Sequence, residues 1–309
     1  MKVSIIGLGW LGQGLADELL AKGYEVAGTT RSTEKQKRLI QSGIDTYLFD
    51  LFESEPEKQL PLSLFKDAIV IVNIAPGRRD LSNQLATAKG DRAESFQSRM
   101  LSLIEYAIAS KSLHLCFVST TSVFGSQDGR LAEKSQLSPE TASGRAHAFI
   151  EKQAISNHPN KTSVLRLAGL IGHDQDGALR HPVTSLSKRE RIENGDQVVN
   201  LVHRDDVITA LIRIISRAEN KADDHDLDNT VFQLCSTEHP TREDYYTWAA
   251  DTLNLPRPNF VKDDEAESAQ ITSQGKKSKT LGKIIDATFT LNCLGIDLRY
   301  PSPYDMLKK

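Results

Sequence analysis

Short apolar, β-branched runs alternate with stretches whose apolar residues recur every three or four positions. Strand-type runs fall at 2–6, 24–29, 46–50, 68–74, 113–119, 162–167 and 230–235. Helical periodicity falls at 11–22, 32–42, 92–110, 142–156 and 204–217. Ala68-Ile69-Val70-Ile71-Val72 has no polar face, as expected of a strand covered on both sides. Strands of this kind alternating with helices predict an α/β fold built on a doubly wound parallel sheet. The alternation breaks at 168–200 and at 236–309, where Gly, His and charged residues intervene. We read these segments as loops and small elements of a smaller C-terminal α/β domain that caps the strand ends. The expected organisation is a nucleotide-binding domain at 1–167, rejoined by 201–235, and a substrate-binding cap formed by 168–200 and 236–309. Lys221 to Asp228, rich in acidic residues, reads as a solvated loop.

The first strand runs directly into Gly7-Leu8-Gly9-Trp10-Leu11-Gly12, then an amphipathic helix, Gly23, and a second strand. Strand, G-x-G-x-x-G, helix, strand is the order of a Rossmann-type dinucleotide-binding unit. Gly7 makes the turn out of the strand, Gly9 lets a pyrophosphate approach the backbone, and Gly12 lets the helix pack closely on the sheet. The helix opens at Trp10 and Leu11, and its first N–H groups and positive dipole end suit the pyrophosphate. The second strand ends in Thr29-Thr30-Arg31-Ser32, with no Asp or Glu for the ribose hydroxyls of NAD. Arg31, beside the Thr30 hydroxyl, can pair with a 2′-phosphate, so the expected cofactor is NADP(H), with NAD(H) as the alternative. Arg31 can equally be the solvated start of the next helix, together with Lys35, Lys37 and Arg38. Asp50 and Leu51 follow Tyr47-Leu48-Phe49 and suit the strand end beside the adenine.

Composition narrows the field. The chain has 309 residues, enough for one large domain or two. A formal net charge of −3 and the lack of a basic stripe argue against nucleic acid as a partner. The three cysteines are isolated and odd in number, which points to a reducing compartment. The first strand begins at residue 2, no run approaches a membrane span, and a cytoplasmic location is the expectation. No His, Cys, Asp or Glu grouping has metal-ligand spacing, so no metal is expected.

Further segments carry a second pattern. Phe117-Val118-Ser119-Thr120-Thr121-Ser122-Val123-Phe124-Gly125 follows the fifth strand, and Thr141-Ala142-Ser143-Gly144-Arg145-Ala146-His147 leads into a helix containing Glu151. Leu165-Arg166-Leu167-Ala168-Gly169-Leu170-Ile171-Gly172, Asn200 to Val207 and Leu294 to Pro301 come after. In this order the segments resemble the extended short-chain dehydrogenases/reductases, the NAD(P)-dependent epimerase/dehydratase family. With Arg180-His181-Pro182 and Gly282-Lys283-Ile284-Ile285-Asp286, they are most similar to the YeeZ-like atypical branch. The resemblance implies a Rossmann domain with a smaller substrate domain, and dimers through the helices near 92–110 and 142–156. It places Asn73-Ile74-Ala75-Pro76 along the cofactor and His173, His181 and His203 near the substrate cleft. Arg78, Arg79, Arg166 and Arg180 could together meet an anionic substrate.

The family's proton machinery is a Ser or Thr after the fifth strand and a Tyr-x-x-x-Lys pair on the next helix. By position Thr120 matches the Ser/Thr, a role it shares with lining the cofactor. Ser143 stands at the Tyr position and His147 at the Lys position. No tyrosine lies between Tyr106 and Tyr245 to replace the missing phenol. A serine hydroxyl is a far weaker acid than a phenol with its reference pKa near 10. His147, four residues after Ser143, can act as general acid or base, or it can simply occupy the vacated Lys position. Two functions therefore compete. One is an NADP-dependent oxidoreductase or epimerase acting on a small polar molecule, such as a sugar nucleotide, through a non-standard proton-transfer group. The other is a non-catalytic NADP(H)-binding sensor. A Rossmann dehydrogenase of the β-hydroxyacid or imine-reductase type ranks last, because 162–167 and 230–235 read as strands where that class needs a long helical domain.

Overall fold

The architecture comes from a computed structural model, which describes residues 1–77, 92–159, 161–174, 177–220, 231–261 and 281–307. Arg78, Arg79 and the polar segments Lys221–Asp228 and Asp263–Lys279 lie outside the described residues. The first half runs β1 (Lys2–Ile6), α1 (Trp10–Ala21), β2 (Glu25–Thr30), α2 (Thr33–Gln41), β3 (Asp45–Leu48), the short α3 (Pro56–Gln59) and α4 (Leu62–Phe65), β4 (Ala68–Val72), α5 (Arg92–Ala109) and β5 (His114–Thr120). A 3-10 turn at Thr121–Phe124 follows, then β6 (Gly129–Leu131), α6 (Ala142–Asn157), β7 (Thr162–Leu167), β8 (Gly169–His173), β9 (Leu179–Arg180), α7 (Val183–Leu186) and β10 (Leu201–His203). The chain closes with α8 (Arg204–Glu219), β11 (Val231–Leu234), α9 (Arg242–Thr252), β12 (Lys283–Ile285) and α10 (Thr288–Leu294).

The seven-stranded sheet has the order β11-β7-β5-β4-β1-β2-β3. Its pairs from β3 through β7 are parallel. The chain moves outward from β1 through β2 and β3, returns to β4 on the other side of β1, and moves outward again. The strand order thus reverses between β1 and β4, and open α/β sheets bind ligands outside the carboxyl ends at such a point. Every residue of β4 is buried, which matches its unbroken apolar sequence.

The residues group into two compact units. One holds Met1–Gly125, Gln136–Leu167 and Ile208–Phe232; the other holds Ser126–Ser135, Ala168–Val207 and Gln233–Lys309. The first unit has a core in which Val70, Phe96, Phe117 and Ile150 pack together. The second contains the sheet β10-β8-β9 and the pair β12-β6, with Tyr245, Tyr246, Phe260 and Met306 at its core. No helix among the described residues is long and apolar enough to cross a membrane.

Candidate functional site

The turn after β1 is shaped by backbone contact. Gly7 has φ 109°, and a Cβ there would lie 2.4 Å from the Asn73 carbonyl oxygen at the end of β4. A Cβ on Gly12 would lie 2.3 Å from the Gly7 oxygen, so α1 rests directly on the turn. Gly9 is different: its φ is −75°, and a Cβ would meet none of the described residues within 4 Å. Gly9 is also the N-cap of α1, a helix with no side-chain cap and no acidic residue in its first turn. This is a cradle that a side chain would fill, at a helix end that favours anions, and it fits a dinucleotide pyrophosphate. Thr29 and Asn73 frame the turn. The Gly7 N–H donates to Thr29 Oγ1 at 3.0 Å, and Asn73 Nδ2 donates to the Gly7 oxygen at 3.3 Å. Spacing alone singles out neither residue. A buried hydroxyl inside an apolar strand is a signal for Thr29, because it demands a partner.

Next along the sheet edge come the residues expected at the adenosine. Thr30 is half-buried and Arg31 exposed. Ser32 caps α2 by accepting from Lys35 N at 3.2 Å. Asp50 folds its own loop: its Oδ1 accepts from Phe52 N at 2.9 Å, while Gln59 bonds its backbone N–H and carbonyl at 3.0 Å each. Leu51 is buried, and its carbonyl accepts from Arg99 Nη1 at 3.0 Å. Beyond β4, Ile74 and Pro76 are half-buried and Ala75 is exposed.

Thr120 ends β5 and caps the 3-10 turn. Its Oγ1 accepts from Ser122 N at 3.2 Å and lies 3.1 Å from Ser122 Oγ. A Cβ on Gly144 would sit 2.6 Å from the Ser122 carbonyl, so this glycine lets α6 start hard against that turn. Thr120, Ser122 and Ser143 are all half-buried. His147 is 5% exposed and stacks on Phe117 with ring centroids 5.7 Å apart. Its Nδ1 lies 2.8 Å from the Ser143 carbonyl, which can only accept, so Nδ1 carries the proton. Ser143 Oγ lies 3.4 Å from that same nitrogen. An N–H cannot take up the serine proton, so the two do not form a nucleophile and base through Nδ1. Burial also pushes the His147 pKa below its ordinary value, keeping the ring neutral near pH 7.

One turn further along α6, Glu151 makes a buried ion pair with Arg166 on β7. Arg166 Nη2 lies 2.7 Å and Nε 3.1 Å from Glu151 Oε2, and the two side chains are 5% and 3% exposed. Ser119 Oγ also donates to Glu151. Arg166 is thus committed to an internal carboxylate rather than to an anionic substrate, a correction to the reading of the four arginines. Arg180 is largely exposed, 3.9 Å from Asp174.

In the second unit, His181 Nδ1 accepts from Val183 N at 3.1 Å and its Nε2 bonds the Tyr245 hydroxyl at 2.9 Å. Burial lowers the His181 pKa to about 4. His203 packs on Tyr300, with centroids 4.0 Å apart, and its Nδ1 accepts from Asp205 N at 3.2 Å. Both histidines are thereby engaged in packing and internal bonds. Among the described residues, no group of three or more His, Cys, Asp or Glu is placed to hold a metal ion.

Comparison with known proteins adds three findings. The sequence pattern of the NAD dependent epimerase/dehydratase family matches residues 3–228. Protein YeeZ of Escherichia coli K12 is 31% identical over 308 residues, covering 99% of this chain and 98% of that protein. Among solved structures, MoeE5 in complex with UDP-glucose and NAD aligns with a TM-score of 0.69 at 18% identity, covering 97% of this chain and 94% of that one. UDP-glucose 4-epimerase of Thermotoga maritima, solved with UDP-glucose, aligns with a TM-score of 0.68 at 18% identity and the same coverage of both chains, 97% and 94%.

Proposed function

Because the chain belongs to the NAD dependent epimerase/dehydratase family, we propose that it binds a nicotinamide dinucleotide, prefers NADP(H), and acts as an oxidoreductase or epimerase on a small polar substrate. A sugar nucleotide is the class suggested by the UDP-glucose bound to MoeE5 and to the Thermotoga maritima epimerase. The observation that carries the reading is the open space at Gly9, in front of a helix start with no side-chain cap, within a turn otherwise closed by backbone contact. The preference for NADP(H) rests on the exposed Arg31 at the end of β2, where Thr29-Thr30-Arg31-Ser32 carries no Asp or Glu.

Each residue's part follows from its geometry. When bound, the nicotinamide supplies reversible two-electron exchange with a substrate carbon. Gly7, Gly9 and Gly12 shape the cradle, and the backbone of Trp10 and Leu11 presents N–H groups to the pyrophosphate. Arg31, with the Thr30 and Ser32 hydroxyls, holds the 2′-phosphate, while Asp50, Leu51 and Ile74 to Pro76 line the remainder. Thr120 and Ser143, both half-buried, hold a substrate oxygen or the water that exchanges its proton. His147, neutral and with Nδ1 committed, orients the start of α6 and does not shuttle protons through that nitrogen.

A second reading has its own observation. With Ser143 and His147 at the Tyr and Lys positions, and His147 buried, this alternative makes the protein a non-catalytic NADP(H) sensor in place of an enzyme.

Calorimetric titration separates the cofactors: NADPH binds more tightly than NADH, and Arg31→Ala removes the difference. Equal affinities in the parent protein overturn the preference. NADPH oxidation is then followed across a panel of sugar nucleotides, aldehydes and ketones. Turnover that falls in Thr120→Val and Ser143→Ala but survives in His147→Phe supports the enzyme, and tight binding without turnover of any panel member supports the sensor.

A further inference from the structure

We propose that Thr29 and Asn73 are positioning residues for the dinucleotide: they clamp the Gly7 peptide from the two strands flanking β1 and so set the aim of the N–H groups that open α1. The proposal rests on the cofactor reading above.

Thr29 is 2% exposed and takes two successive amides of the turn. Its Oγ1 accepts from Gly7 N at 3.0 Å and its carbonyl from Leu8 N at 2.8 Å. Asn73 grips the other side. Its N–H donates to the Ile6 carbonyl at 2.9 Å, and its Nδ2 donates to the Gly7 carbonyl at 3.3 Å. The same carbonyl is where α1 rests through Gly12. Both polar groups of the Gly7 peptide are therefore held by side chains, one from β2 and one from β4. Valine would fill the Thr29 site with the same shape, so packing does not require the hydroxyl. The hydroxyl's distinctive contribution is an acceptor for the Gly7 N–H, while the Thr29 carbonyl accepts from Leu8 N.

The clamp also links parts of the site. Thr29 precedes Thr30 and Arg31, and Asn73 precedes Ile74 to Pro76. A shift of the Gly7 peptide would therefore change the pyrophosphate cradle relative to both flanking strand ends. Because pyrophosphate is common to both cofactors, losing the clamp weakens NADPH and NADH alike, whereas losing Arg31 weakens NADPH alone.

The test uses full-length Thr29→Val, Thr29→Ser and Asn73→Ala. Affinities for NADPH and NADH are measured by calorimetry, melting temperature is followed separately, and Gly7 amide exchange is followed by NMR. Thr29→Val is expected to weaken both cofactors about tenfold, the loss of one well-placed hydrogen bond. It should also speed Gly7 amide exchange, while Thr29→Ser keeps parent affinity and parent exchange. Wild-type affinity in Thr29→Val, or a lower melting temperature with affinity unchanged, overturns the positioning role. If Thr29→Val does not fold, Asn73→Ala carries the same expectations and the same refutations. A parent protein that binds neither cofactor refutes the cofactor reading; the clamp then stands or falls on the exchange rate of the Gly7 amide in the variants.

Discussion

Glycines 7, 9 and 12 share a motif but not a constraint, and their differences separate folding from binding. Gly7 is held by a positive φ and by the Asn73 carbonyl, and Gly12 by the Gly7 carbonyl. Gly9 has an ordinary negative φ and open space where a Cβ would stand. A methyl at Gly12 must displace backbone, and overpacking of this kind costs about 1–3 kcal/mol. A methyl at Gly9 displaces none of the described residues and leaves stability within about 0.5 kcal/mol. It does occupy the space through which a phosphate would approach. Gly9→Ala is thus expected to melt like the parent while losing about tenfold or more in dinucleotide affinity, equivalent to about 1.4 kcal/mol. Gly12→Ala is expected to lose stability. Paired melting and calorimetry check this, and a Gly9→Ala protein that binds at parent affinity refutes the assignment of the space to the cofactor.

At the level of elements, α6 is fastened to the sheet by charge as well as by apolar packing. Ser143, His147 and Glu151 lie four residues apart along one stripe of this helix. Glu151 ties the stripe to Arg166 on β7 and Ser119 on β5. Breaking a buried pair leaves an uncompensated charge and costs about 3–5 kcal/mol, whereas replacing both partners with apolar residues is often close to neutral. Arg166→Met alone is therefore expected to lose about that much in urea denaturation, and Arg166→Met with Glu151→Leu to recover most of it. Additive losses would show that the pair is not what holds α6. This pair also marks a limit of sequence reading. The strands, the main helices and the glycine turn were legible, because periodicity and G-x-G-x-x-G spacing are local. The partner of Arg166 was not, since it depends on which strand lies beside α6. The bonds of Thr29 and Asn73 to Gly7 were not legible for the same reason: they span 22 and 66 residues and follow from the strand order. Ser143 and His147 were placed by resemblance, but the tautomer of His147 depends on a carbonyl distance that no spacing encodes.

Across the whole molecule, buried histidines make stability depend on acid, with His114 and His147 in the first unit and His181 and His203 in the second. Burial lowers the pKa of His147 in the first unit and of His181, His203 and His239 in the second. Each takes up its proton at a lower pH when folded than when unfolded, so stability falls as pH drops through about 6.5. His181, lowered to about 4 and 6% exposed, is linked to a loss of about 3 kcal/mol between neutral pH and pH ~4. Glu133 and Asp206 oppose this, because burial raises their pKa. Their stabilising contribution is complete below the ordinary carboxylate range near pH 4 and is lost as pH rises above it. The chain's two tryptophans report the units separately, with Trp10 in the first and Trp248 in the second. Trp248 packs between Tyr245 and Tyr304, at centroid distances of 5.8 and 4.8 Å. In the single-tryptophan protein made by Trp10→Phe, the Trp248 unfolding midpoint is expected to fall as pH goes from 7.5 to 5.5. His181→Phe should be less stable at pH 7.5 yet show a flatter Trp248 profile, by up to one linked proton, or about 1.4 kcal/mol per pH unit. An unchanged slope in His181→Phe would refute the assignment of this acid response to His181, since removing the histidine removes its linked proton.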